Sequence, residues 1–142
     1  MTLHHAARTR TALSHLSTLL PEPTRTFLLL QEISPSALTA ILSHPWVREK
    51  FSISNIRPPT NYFTTTLISL DVMLPSLSIR RVRYTDSKMA RDLLLADLML
   101  DSGLFRVGNT HLEPLPKPGE DLRRKQLAEE GGCRVEVSTT GG

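Results

Sequence analysis

Three short segments carry residue types and spacings able to do chemistry on an anionic ester. Gln31-Glu32 follows directly on the apolar run Phe27-Leu28-Leu29-Leu30. A carboxylate at the exit of a buried strand is held rigidly at a sheet's edge, where a hard cation can sit. Magnesium takes oxygen ligands and commonly only one or two protein carboxylates, leaving room for water and phosphate. The same glutamate would also suit the first turn of a following helix, where the dipole favours negative charge. The second segment is Asn109-Thr110-His111-Leu112-Glu113. In a strand, residues two apart share a face, so Asn109 and His111 project together near the strand's end. A histidine there can donate a hydrogen bond to a phosphate oxygen as charge builds on it, or simply be a satisfied polar residue. The third is Ser87-Lys88-Met89-Ala90-Arg91, preceded by Arg80, Arg81 and Arg83. A guanidinium fork matches phosphate oxygens, and the other arginines would track a nucleic-acid backbone or line a solvated strand face.

The elements that must position these groups follow from periodicity and punctuation. Ala6, Leu13, Leu16 and Leu20 fall on one helical face, and Pro21 and Pro23 end that helix. Phe27 to Leu30 reads as a strand buried on both faces. Ser34 and Pro35 supply an N-cap and a first-turn proline for a helix through Ala37, Leu38, Ile41 and Leu42, which stops before Pro45. The remainder reads as strands: 51–56, 63–72, 77–84, 91–100 and 104–112, with Arg57-Pro58-Pro59 as a break and Leu74-Pro75-Ser76 as a connection. Asp101-Ser102-Gly103 is a hairpin signal. Antiparallel pairing sets the start of one strand beside the end of the next, so Arg91 and His111 are expected to be neighbours. Residues 120–130 have helical composition, closed by Gly131-Gly132. The order predicts an α/β sandwich with mainly antiparallel strands.

Composition bounds the rest. The chain has 142 residues, 39% apolar and 22% charged, room for one core of an ordinary folded domain. No apolar run approaches the roughly 20 residues a bilayer-spanning helix needs, so no membrane partner is expected. A formal charge of +3 suits a polyanionic partner such as DNA. Cys133 is the lone cysteine, which excludes an internal disulfide and a cysteine-based zinc site and fits nucleus or cytoplasm. The N-terminus has no acidic residue before Glu22, a composition shared by mitochondrial targeting segments and by ordinary first helices. Oligomeric state is not encoded in any recognisable feature.

Taken in order, a buried strand ending Leu30-Gln31-Glu32 and a later hairpin ending Asn109-Thr110-His111-Leu112-Glu113 resemble the endonuclease/exonuclease/phosphatase superfamily. Within it, Ser87 to Leu94 is similar to the segment of 5′-tyrosyl-DNA phosphodiesterases that opens a strand leading to the active-site histidine. The resemblance covers roughly residues 12–130, leaving 131–142 as an atypical tail. It implies a partial four-layer α-β-β-α sandwich of the deoxyribonuclease-I-like type. It also implies Glu32 as ligand of Mg2+ (or Mn2+), His111 as the catalytic group stabilising a phosphorane-like transition state, and Arg91 and Asn109 as substrate-binding. The reaction would be hydrolysis of a DNA phosphodiester, releasing a 5′ end from a tyrosine. All of this requires Glu32 and His111 to converge on one cation-and-phosphate pocket.

The departures are specific. Relatives carry an asparagine-bearing strand ahead of the first helix, where Met1 stands here, and a serine where Pro114 stands. Neither Gly-Asp-x-Asn nor Ser-Asp-His occurs in the sequence, and these would orient the water and accept its proton. A truncated or frame-shifted product is therefore expected, with impaired turnover. The competing readings are a non-catalytic nucleic-acid-binding fragment using Arg80, Arg81, Arg83, Lys88 and Arg91, and an unstable remnant.

Overall fold

The computed structural model describes residues 2–72, 76–112 and 119–132. The described residues form four helices and six strands, in two three-stranded antiparallel sheets. The chain divides into two compact units, Met1–Leu74 and Pro75–Gly142.

The first unit opens with α1, Thr2–Leu19. The two prolines that follow have no amide hydrogen to continue the ladder, so the helix closes with Leu20 N donating to Leu16 O at 2.8 Å. Next comes β1, Phe27–Ile33. Ser34 then caps α2, Pro35–Ser43, its hydroxyl accepting from Ala37 N at 3.3 Å. Pro45 stops α2 as expected but also starts α3, Pro45–Lys50, a short helix absent from the sequence expectation. Proline's fixed φ suits a first helical position, so the same residue ends one helix and begins the next. Trp46 of α3 donates its indole N–H to Leu20 O at 3.1 Å and meets Phe51 edge-on, ring centroids 4.9 Å apart. β2, Phe51–Ile53, and β3, Phe63–Ser69, complete a sheet of order β1-β3-β2. The core is Leu13 of α1, Ala37, Leu38 and Ile41 of α2, and Phe63 and Leu67 of β3, among others.

The strand buried along its whole length is β3, the centre of its sheet, and not β1. The continuous apolar run of β1 belongs to an edge strand: Leu28 and Leu30 pack on the core, while Leu29 is 45% exposed. An unbroken run of leucines therefore overstated burial, because one face of β1 lacks the cover that the other has.

The second unit is a meander of β4, Leu77–Arg83, β5, Asp92–Leu100, and β6, Gly103–Thr110. The hairpin falls where Asp101-Ser102-Gly103 placed it, with Leu100 paired to Gly103 and the glycine at φ 119°. That backbone is one a residue with a Cβ rarely adopts. Tyr84, Leu93 and Leu95 form a small core, with Val82 and Leu112 against it. Helix α4, Gly119–Gly132, runs through the two glycines expected to end it. It is pinned by Glu129, whose carboxylate accepts from both the hydroxyl and the amide of Thr85, at 2.5 and 3.2 Å. Lys125 adds an ion pair with Asp86 at 3.0 Å. At Gly108 a Cβ would come within 3.2 Å of the Leu93 side chain on the neighbouring strand and 3.7 Å of Glu130. The expected connection at 74–76, the atypical tail 131–142 with Cys133, apart from its first two residues, which belong to α4, and Glu113 and Pro114 fall wholly or largely outside the described residues.

Candidate functional site

Glu32 lies in the first unit, and not in a helical first turn, because β1 continues through it to Ile33. Its position is set by a β-bulge. Leu30 pairs with Thr65 and Ile33 with Phe63, so three steps along β1 match two along β3. Leu28, Leu30 and Ile33 then all reach one core. Strict alternation would have sent position 32 inward in place of 33; the extra residue re-aims it. Glu32 itself sits at φ 54°, in the left-handed region. Holding a residue with a Cβ there costs about 1–2 kcal/mol, and such strain gathers at functional positions. The carboxylate opens onto a cleft of about 360 Å³ lined also by His5, Arg8, Thr9, Gln31 and Tyr62. His5 and Tyr62 face each other there with ring centroids 6.4 Å apart. His5, Arg8, Thr9 and Tyr62 were not singled out from sequence.

Whether this cleft suits a divalent cation turns on its donor set. Among the described residues, no group of three or more His, Cys, Asp or Glu side chains is placed to hold a metal ion. Of the described residues lining the cleft, Glu32 is the one carboxylate, with the Gln31 amide beside it and the Arg8 guanidinium opposing a cation. That fits a magnesium ion keeping most of its water shell on a single carboxylate. It does not make a complete protein cage.

The other three predicted residues lie in the second unit, at one end of the β4-β5-β6 sheet. Arg91 and His111 are neighbours, as antiparallel pairing required: Arg91 Nη1 lies 2.7 Å from His111 Nδ1. The ladder runs to Leu93 opposite Thr110, and continuing that register would set Arg91 opposite Leu112. The chain departs from it at Ala90, which takes φ 52°. Ser87 fixes the departure, its hydroxyl accepting from the Arg91 amide at 2.7 Å. Arg91 Nη2 rests on Met89 Sδ at 3.7 Å, and Nε is buried without a hydrogen-bond partner among the described residues. Three non-glycine residues in the described chain have left-handed φ, and two of them are Glu32 and the residue before Arg91.

Below this pair the strand ends are locked. Thr110 donates its single hydroxyl hydrogen to Asp92 O at 3.0 Å, so at 2.7 Å it must accept from the Tyr84 phenol. Burial pushes the Tyr84 phenol above its ordinary 10.0. Asn109 shares its face with His111 but is 1% exposed, whereas His111 is half-buried. The Asn109 amide is therefore part of the packed floor of the strand end and not of an open surface.

The five basic residues do not act as one row. Alternation puts Arg80 on the opposite face from Arg81 and Arg83. Arg81 is engaged by Asp92, with Nη1 at 2.9 and 3.0 Å from its two oxygens. Arg80 and Arg106 share Asp97, at 3.8 Å and, through Arg106 Nη2, 2.7 Å. The Arg106 hydrogen bond holds the Asp97 carboxyl below its ordinary 3.8, against the opposing effect of burial. Arg83 and Lys88 remain exposed.

No protein-family model and no curated protein sequence matches the chain. Solved structures do. A truncated tyrosyl-DNA phosphodiesterase 2 (TDP2) from Caenorhabditis elegans is 22% identical, with a TM-score of 0.61, over 90% of this chain and 46% of its own. A humanized D. rerio TDP2 is 17% identical, with a TM-score of 0.66, over 89% of this chain and 49% of its own. The chain thus has the mixed α/β, deoxyribonuclease-I-like fold of these structures and spans about half their length. The fold expected from the strand order and the two motifs is the one found.

Proposed function

We propose that this chain carries the metal-ligand and phosphate-gripping elements of a magnesium-dependent phosphodiester hydrolase of the 5′-tyrosyl-DNA phosphodiesterase type. The observation that carries the reading is the Arg91–His111 pair at 2.7 Å, anticipated from two motifs twenty residues apart. The fold shared with tyrosyl-DNA phosphodiesterase 2 structures supports it. So does the strained, bulged placement of Glu32 on a cleft shared with His5, Arg8 and Tyr62.

In this reading Glu32 would hold Mg2+, or Mn2+ with the same oxygen preference, which when bound offsets charge on phosphate oxygens. His111 donates to a phosphate oxygen as negative charge develops in the phosphorane-like transition state. Arg91 places a fixed positive charge beside it. Asn109 is the expected second substrate contact, and it lies at the same strand end with 1% of its surface exposed. The exposed Arg83 and Lys88 attract a DNA strand. The water-activating Asp and His of the Gly-Asp-x-Asn and Ser-Asp-His motifs are absent from the sequence. Lack of a general base lowers turnover by about 10²- to 10⁴-fold, so the chain by itself is a slow catalyst.

The test is release of tyrosine from a 5′-tyrosyl oligonucleotide under single-turnover conditions with enzyme in excess. Slow, Mg2+-dependent release that is lost in both Glu32→Ala and His111→Ala is the expected result. Release that ignores Mg2+, or none above the Glu32→Ala background, overturns it.

A further inference from the structure

We infer that Arg91 is a positioning residue for His111, fixing the imidazole as the tautomer protonated on Nε2. The inference deepens the proposed phosphate grip and rests on it for its catalytic meaning. A guanidinium has five N–H donors and no acceptor. At 2.7 Å from Arg91 Nη1, His111 Nδ1 can only be the acceptor, because two donors cannot face each other at that distance. The ring hydrogen is therefore on Nε2. Any group that meets Nε2 must accept a hydrogen bond, and the oxygens of a phosphodiester are acceptors.

The guanidinium is not placed by chance of solvent. The Ser87 hydroxyl holds the Arg91 amide, the Met89 sulfur backs Nη2, and the left-handed Ala90 turns the chain into β5. Nε is buried. The segment 87–91 thus commits backbone strain and two contacts to aiming one N–H at one ring nitrogen. Side-chain partners of this kind set which nitrogen of a histidine carries the proton. Arg91 then contributes in two ways: its charge faces the phosphate, and one of its N–H groups is committed to the ring.

The measurement is a long-range 1H–15N correlation on the full chain with 15N-labelled histidine, without Mg2+ or oligonucleotide, assigned among the five histidines with His111→Gln. The expected spectrum has Nδ1 of His111 unprotonated and Nε2 protonated. Arg91→Met loses that single-tautomer signature and gives averaged shifts, while Arg91→Lys, which still donates, restores it. A purely structural role for Arg91 would loosen the loop without selecting a nitrogen. Protonated Nδ1 in the wild-type chain overturns the inference, and so does an unchanged tautomer in a folded Arg91→Met. If Arg91→Met fails to fold, the wild-type spectrum still decides. No substrate is present, so a failed turnover assay leaves the tautomer result standing, and the reverse.

Discussion

Glu32 offers a substitution whose sign is the opposite of the general rule. In ordinary strand or helix positions glycine is less stable than alanine by about 0.5–1 kcal/mol, because it loses more backbone freedom on folding. At φ 54° the balance changes. A left-handed backbone costs a residue with a Cβ about 1–2 kcal/mol, which glycine does not incur. Glu32→Gly should therefore be more stable than Glu32→Ala by about 0.5–1 kcal/mol. Both variants lose the carboxylate and whatever it contacts, so that loss cancels in the comparison. For a chain of this size the difference is a rise in Tm of about 2–4 °C, read by thermal unfolding in metal-free buffer. Magnesium then separates the wild type from both. A ligand at a hundred times its Kd adds about 2.7 kcal/mol to the state that binds it, and only the wild type retains the carboxylate. An alanine variant as stable as the glycine variant would refute the bulge geometry. Equal Mg2+ stabilisation of all three would refute the metal assignment.

Asp97 has its folded pKa lowered by the Arg106 hydrogen bond, so its contribution is present above the unfolded value of 3.8 and lost as pH falls through the folded one. Urea unfolding from about pH 5 down to about pH 2 should show the wild type losing more stability than Asp97→Asn. In DNA binding, Arg83→Ala should reduce the salt slope by about one unit, because Arg83 is exposed. Arg81→Ala should leave the slope unchanged, since Asp92 already holds that guanidinium.

Much of this was written in the sequence, and the exceptions have physical causes. The Ser34-Pro35 cap, the Asp101-Ser102-Gly103 hairpin and the Arg91–His111 neighbourhood followed from local chemistry and pairing geometry. Helix α3 is hidden in the sequence because Pro45 reads as a terminator, when proline equally suits a helix start. The bulge is hidden because Phe27 to Leu30 reads as a uniform buried run. The apolar spacing 28, 30, 33, against an alternating 28, 30, 32, carried the signal. The arginine cluster looked like one basic row because adjacency in sequence hides alternation between faces and the carboxylates Asp92 and Asp97 across the ladder. The cleft residues His5, Arg8 and Tyr62 come from separate elements, and no local pattern joins them.

The central claim is that the strand end holding Arg91 and His111 meets a phosphodiester. Its most direct test follows the His111 ring nitrogens by NMR as a 5′-tyrosyl oligonucleotide is added in the presence of Mg2+. A saturable shift at His111 Nε2, lost in Arg91→Met, is the predicted outcome. Oligonucleotide binding that leaves both His111 nitrogens unmoved, or no binding at all, contradicts it.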